Sequence, residues 1–74
     1  MGMEKVKSEI TGKVWRIDAA VGDKLDEEDP IVTLESMKME IPVVAPVDGV
    51  LKEILVQEGQ EIGEGDEVAV LETT

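Results

Sequence analysis

The chain is an imperfect tandem duplication with an offset of 37 residues, and this repeat limits its fold more than any other feature. Residues 2–37 and 39–74 are two copies of one unit, and Lys38 is left over between them. Apolar pairs such as Ile31 and Val68 differ only by swaps of similar volume, which a core tolerates. We therefore expect two like halves related by an approximate twofold axis. Identical residues recur at Gly12 and Gly49, Ile17 and Ile54, Gly22 and Gly59, Glu27 and Glu64, Asp29 and Asp66, Leu34 and Leu71, and Glu35 and Glu72.

Each copy is predicted to consist of short strands and turns. Its apolar residues are mostly Val, Ile and Leu, which suit a half-buried pleated surface. A chain of 74 residues has a thin core, and closing a sheet on itself removes exposed edges. The predicted strands cover residues 6–10, 14–17, 31–36, 39–44, 50–56 and 68–71, with bridges at Leu25 and Ile62. We therefore predict an all-β fold, a flattened antiparallel β-barrel or sandwich of two four-stranded sheets with a quasi-twofold repeat, in a single domain over residues 1–74.

Composition removes several classes of function. Eighteen acidic against seven basic residues give a net charge of −11, which argues against nucleic-acid and membrane partners. The absence of cysteine and histidine leaves no thiol nucleophile, no His-based triad and essentially no zinc or iron ligands. The chain is too short to enclose a substrate cleft, so we expect a non-catalytic protein on which other enzymes act. No segment is apolar enough for a membrane span or signal region, which predicts a cytoplasmic location.

Lys38 is predicted to lie at the tip of a hairpin whose arms are residues 31–36 and 39–44. Pro42 would make the second arm an edge strand or irregular at that point, because proline cannot donate to a ladder. The tip lacks the Gly, Asn or Asp that normally builds a tight turn. It also carries two large apolar side chains, Met37 and Met39, and such departures from local rules are typical of functional sites. The alternative is that both methionines fill gaps in the end of the barrel.

Residues 35–39, with the sequence ESMKM, resemble the attachment motif of the biotinyl/lipoyl carrier family, in which the lysine between two methionines receives biotin through an amide bond. The resemblance covers nearly the whole chain, including residues 45–50 (APVDGV), and is nearest to the stand-alone biotin/lipoyl attachment proteins. It implies the barrel-sandwich hybrid fold of biotinyl/lipoyl domains. It also implies Lys38 as the biotinyl attachment residue, with Met37 and Met39 recognised by the ligase. Glu35, like Glu40, is a further candidate for ligase recognition, or else a solvent-facing strand charge.

The resemblance further implies a biotin carboxyl carrier that shuttles carboxybiotin between biotin carboxylase and carboxyltransferase sites. Its expected partners are biotin protein ligase, biotin carboxylase and carboxyltransferase, and the domain itself is expected to be monomeric. Biotin, bound covalently, would perform the chemistry that the protein only positions. A lipoyl carrier for acyl transfer, or a protein that accepts both biotin and lipoate, is the alternative, although lipoyl carriers typically have Asp-Lys-Ala or Val-Lys-Ala at the tip. An unmodified barrel that serves as an interaction module is the third hypothesis.

Overall fold

The fold consists of β-strands that recur along the chain with the same 37-residue offset as the sequence repeat. A computed structural model describes residues 2–73, and within them no helix is long and apolar enough to cross a membrane. The strands are β1 (Gly2–Lys7), β2 (Gly12–Ile17), β3 (Lys24–Leu25), β4 (Pro30–Ser36), β5 (Met39–Val44), β6 (Gly49–Ile54), β7 (Glu61–Ile62) and β8 (Glu67–Thr73).

The strands form two antiparallel four-stranded sheets that confirm the predicted duplication. One sheet has the order β1-β8-β6-β3, and we call it the terminal sheet; the other has the order β5-β4-β2-β7, and we call it the hairpin sheet. Each strand of one sheet has its repeat mate at the same place in the other. The registers also repeat, since the pair Val14–Leu34 recurs as Leu51–Leu71. The all-β fold with quasi-twofold symmetry is therefore confirmed.

The core lies between the two sheets and is aliphatic. Ile31 and Leu34 from β4 are fully buried, as are Val68 and Leu71 from β8. These are repeat-related pairs, so each copy contributes the same positions to the interior. Because burial of apolar side chains is the main favourable term in folding, the two central strands anchor the sheets to each other.

Backbone hydrogen bonds join the sheets at two glycine turns. The N–H of Gly22 donates to the carbonyl of Leu51 at 2.7 Å, and the N–H of Gly59 donates to Val14 at 2.7 Å. Their φ angles are 100° and 87°, so both copies place a glycine at positive φ at this repeat position. Glycine reaches this region without the steric penalty of a Cβ.

The first strand differs from the sequence prediction, which placed it at residues 6–10; it is Gly2–Lys7 instead. The register shifts after Val6, and the chain then leaves the ladder at Ser8. The buried Ser8 hydroxyl donates to the carbonyl of Ile10 at 2.6 Å, which bends the backbone locally. The other copy ends its strand at the equivalent residue, Val44, where Ala45 takes the place of Ser8, so the end of the strand is a property of the repeated fold.

The hairpin tip and the chain ends lie at opposite ends of the elongated body. Gly2 pairs with Thr73, and the neighbouring Glu72 pairs with Val50 at the start of β6. The loop before β4 lies at this same end, because the N–H of Glu27 donates to the Asp48 carboxylate at 2.7 Å. From there β4 runs towards the hairpin tip, along a body that measures 36 × 19 × 18 Å.

Candidate functional site

The candidate site is the two-residue turn between β4 and β5, which projects beyond the rest of its sheet. The last β4–β5 pair is Ser36–Met39, whereas the last pair between β4 and the neighbouring strand β2 is Lys13–Glu35. The turn therefore extends past β2 and has strand neighbours only within its own hairpin. The predicted hairpin arms and the edge position of β5, with Pro42 exposed, are confirmed.

The turn adopts a backbone conformation that its residues do not favour. Met37 has φ 52° and Lys38 has φ 67°, as the two central residues of a type I′ turn require. Asn-Gly is the usual choice there, and a residue with a Cβ held in the left-handed region costs of the order of 1–3 kcal/mol. The six register pairs between β4 and β5 hold the turn in place against this cost. The turn that carries the lysine is therefore less stable than an Asn-Gly turn would be at the same place.

Lys38 is the only one of the six lysines that lies outside a strand. Its side chain is exposed and forms no hydrogen bond or ion pair with residues 2–73. Lys5 and Lys52, by contrast, contact Glu67 and Glu72 at 3.5 and 3.0 Å. Lys38 thus combines a backbone flanked by paired strands with an exposed side chain that can enter the cleft of another protein.

Both methionines beside this lysine face solvent. Met37 is 92% exposed and Met39 is 63% exposed, so neither fills a gap in the barrel end. Exposing large apolar side chains next to each other is unfavourable in an isolated domain. The alternative that they are core residues is therefore wrong, and they form an apolar rim around the lysine.

Glu35 and Glu40 form an unfavourable cross-strand pair directly below the rim. They face each other in the β4–β5 register, and both are exposed. Like charges placed directly opposite each other destabilise a sheet. In the other copy Glu72 contacts Lys52 at 3.0 Å, whereas the repeat mate of Lys52 is Trp15, and the cation in the strand next to Glu35 is Lys13, its register partner in β2. The tip therefore presents a cation between two apolar side chains, with a double negative charge at its base.

Sequence reasoning missed a polar cluster on the outer face of the hairpin sheet. Arg16 Nε donates to Asp18 Oδ1 at 2.6 Å, and the Thr33 hydroxyl donates to Asp18 Oδ2 at 2.6 Å. Thr33 is only 4% exposed, and the guanidinium of Arg16 lies 4.9 Å from the Trp15 ring centroid. A comparison of repeat mates would have found it, because Thr33 stands where the other copy has Val70.

The tip has the geometry of a residue to which an acyl group can be attached covalently. Residues 2–73 contain no group of three or more His, Cys, Asp or Glu side chains arranged to hold a metal. The Lys38 amine is exposed and unengaged, and no other strand covers the turn. These are the features that an acyl group on a long chain, such as biotin or lipoate, needs in its attachment residue.

Comparison with known proteins places the chain in a family. The biotin/lipoyl family model, described as "Biotin-requiring enzyme", matches residues 3–71. The chain is 39% identical to the biotin/lipoyl attachment protein of Bacillus subtilis strain 168, over 82% of this chain and 84% of the relative. It is 43% identical to the "Biotinylated protein TB7.3 homolog" of Mycobacterium leprae, over 92% of this chain and 96% of the relative. The chain therefore belongs to the biotin/lipoyl family of carrier domains.

Longer proteins contain the same unit. The structure of Kluyveromyces lactis urea carboxylase superposes with a TM-score of 0.91 at 38% identity, covering 96% of this chain but only 6% of that one. The acetyltransferase component of the Haemophilus influenzae pyruvate dehydrogenase complex, whose name describes a dihydrolipoyllysine residue, is 44% identical over 70% of this chain and 9% of the relative. Related domains thus occur in carboxylases and in acyl-transfer complexes.

Proposed function

We propose that this protein is a biotin carboxyl carrier in which biotin is attached to Lys38. The observation that carries the proposal is the isolated lysine, held at positive φ on a projecting turn between two exposed methionines. Membership of the biotin/lipoyl family and the relative described as biotinylated support it. On this account, the scaffold contributes rigidity and reach, while partner enzymes perform the chemistry.

The attachment step is an amide formation at the Lys38 Nζ atom. An alkyl amine is almost entirely protonated near neutral pH, so it does not acylate spontaneously. A biotin protein ligase must remove a proton and present an acyl-adenylate. The nitrogen lone pair then attacks the acyl carbon, the N–C bond forms, and the C–O bond to AMP breaks. The rigid turn helps because it presents the amine with little loss of backbone entropy.

Once acylated, Lys38 no longer carries a charge and becomes the base of a flexible arm about 10–15 Å long. Bound biotin supplies a ureido ring that accepts a carboxyl group at one enzyme and gives it up at another. The projecting turn lets the arm enter two different clefts, and tethering raises the local concentration of the ring in each. We propose a biotin carboxylase and a carboxyltransferase as these partners, in the cytoplasm.

A lipoyl carrier is the second candidate, because a relative that contains a dihydrolipoyllysine residue aligns with 70% of this chain. The same exposed amine would form the same amide with lipoate. The pair of methionines favours biotin, because lipoyl carriers typically have the sequence Asp-Lys-Ala or Val-Lys-Ala at the hairpin tip. Because both methionine side chains are exposed, a ligase can contact them and so distinguish this hairpin tip from the tip of a lipoyl carrier.

Intact-mass measurement after two parallel reactions tests the proposal. The purified chain is incubated with biotin protein ligase, ATP and biotin, and separately with a lipoate ligase, ATP and lipoate. We expect one biotinyl adduct per chain in the first reaction and a much slower or absent reaction in the second. An adduct with lipoate alone would make the lipoyl carrier the better account. No adduct in either reaction would favour the unmodified interaction module.

A further inference from the structure

A cavity on the outer face of the hairpin sheet begins beside the candidate attachment turn. It has a volume of about 310 Å³ and runs along β5 from Glu40, which is one register pair below Met39. Pro42 and Val44 form an apolar wall on one side. The polar cluster of Arg16, Asp18 and Thr33 forms the other side.

The scaffold does not need this polar cluster. At the equivalent positions of the other copy the residues are Glu53, Leu55 and Val70, and the register of strand pairing is the same. Both sheets therefore fold equally well with an apolar pair at the positions of Asp18 and Thr33. Burying the Thr33 hydroxyl requires a hydrogen-bond partner, which Asp18 supplies, and this arrangement lies in the hairpin sheet, which bears the attachment turn.

The cavity matches the functional groups of a cyclic urea fused to a thioether ring. Such a head group has one carbonyl acceptor and two N–H donors. Arg16 has five N–H donors, of which the contacts with Asp18 and Thr33 engage two. The carboxylate of Glu40 is exposed and can accept an N–H, and the wall formed by Pro42 and Val44 suits the apolar ring.

The cavity is also within reach of the arm. Thr33 pairs with Pro42, which is three register pairs below Ser36–Met39, or about 10 Å along the strands. An acylated lysine about 10–15 Å long can fold back over this distance. We propose that the cavity is an intramolecular resting site for the ureido head of biotin on Lys38, an inference that rests on the proposed function.

Nuclear magnetic resonance on the intact chain, with and without biotin, tests this proposal. Complete biotinylation is first verified by intact mass, so a failure of the proposed function is recognised before the resting site is examined. Residues 36–40 will shift in any modified form. We expect additional shifts at the amides of Thr33 and Val44 and at the Nε–H of Arg16 in the biotinylated chain. Shifts confined to the turn would overturn the resting site and leave the carrier function standing.

The other copy provides matched variants. The double variant Asp18→Leu with Thr33→Val introduces the residue types found at the equivalent positions of the other copy, Leu55 and Val70. It removes the two side chains to which Arg16 donates hydrogen bonds. We expect the ratio of docked to free arm to fall about fivefold, with loss of the distant shifts. The control Val70→Thr should leave those shifts unchanged. Equal shifts in the double variant, or in a lipoylated chain whose head has no urea, would contradict recognition of the ureido group.

Discussion

At the scale of single residues, Lys38 is distinguished by its surroundings. The other five lysines lie in strands, where a partner enzyme would meet a flat sheet, whereas Lys38 is held on a turn with both backbone neighbours exposed. The duplication predicted its special place, because Lys38 has no repeat mate. The polar cluster of Arg16, Asp18 and Thr33 was missed: the polar Thr33 opposite its apolar repeat mate Val70 marks the place, but the contacts span 15 and 17 residues of sequence and do not follow from alternation.

Replacing Met37 with Asp together with Met39 with Ala should slow biotinylation by at least tenfold while changing the melting temperature little. Both side chains are exposed, so their loss leaves no cavity in the core. Initial rates with biotin protein ligase and thermal unfolding measure the two effects. Met3→Ala is the control, because Met3 is 62% exposed and lies at the opposite end of the body. A large loss of stability in the double variant would show that the methionines support the fold.

At the scale of elements, the hairpin consists of two paired strands joined by a turn whose residues disfavour its backbone conformation. Alternation and the position of Pro42 correctly predicted both arms and the edge strand. The turn type could not be predicted, because neither Met nor Lys favours the positive φ that both adopt. The first strand was misplaced because its ladder ends at Lys7, as the ladder of the other copy ends at Val44, while the alternation of apolar and polar residues continues to Ile10.

Glu40→Lys should stabilise the hairpin by roughly 0.5–1 kcal/mol, because it replaces a like-charge pair with an ion pair opposite Glu35. Urea unfolding measures this gain. If the acidic pair takes part in ligase recognition, the same substitution also lowers kcat/KM for biotinylation. Met3→Lys is the matched control, since Met3 faces Glu72 at the equivalent place in the other copy. A ligase defect of equal size in both variants would remove the recognition role of the pair.

At the scale of the whole molecule, duplication explains most of what the sequence predicted. Two copies with the same register produce two equivalent sheets, and the twofold relation places the linking turn opposite the chain ends. What the prediction left out is where the copies differ: Trp15 against Lys52, and Thr33 against Val70. These differences lie on the outer faces, where the fold imposes no choice, and they concentrate function in one copy.

The net charge of −11 should make the stability of this small body sensitive to salt. Repulsion among exposed carboxylates opposes the compact state, and added ions screen it. We expect the melting temperature to rise by several degrees between about 10 mM and 0.5 M NaCl, as measured by circular dichroism. Replacing Glu53, Glu58 and Glu64 with Gln should reduce the response. A melting temperature that falls with salt would mean that ion pairs such as Lys52–Glu72 dominate instead.

The most direct test is to map the modified residue by tandem mass spectrometry after limiting reaction with biotin protein ligase, ATP and biotin. The account predicts that all biotin is on Lys38 and none on the five strand lysines. Lys38→Arg should abolish the adduct while leaving the melting temperature unchanged, because arginine offers no acylatable primary amine. Biotin on any strand lysine, or undiminished biotinylation of the Lys38→Arg variant, would contradict the claim that the projecting turn is the attachment site.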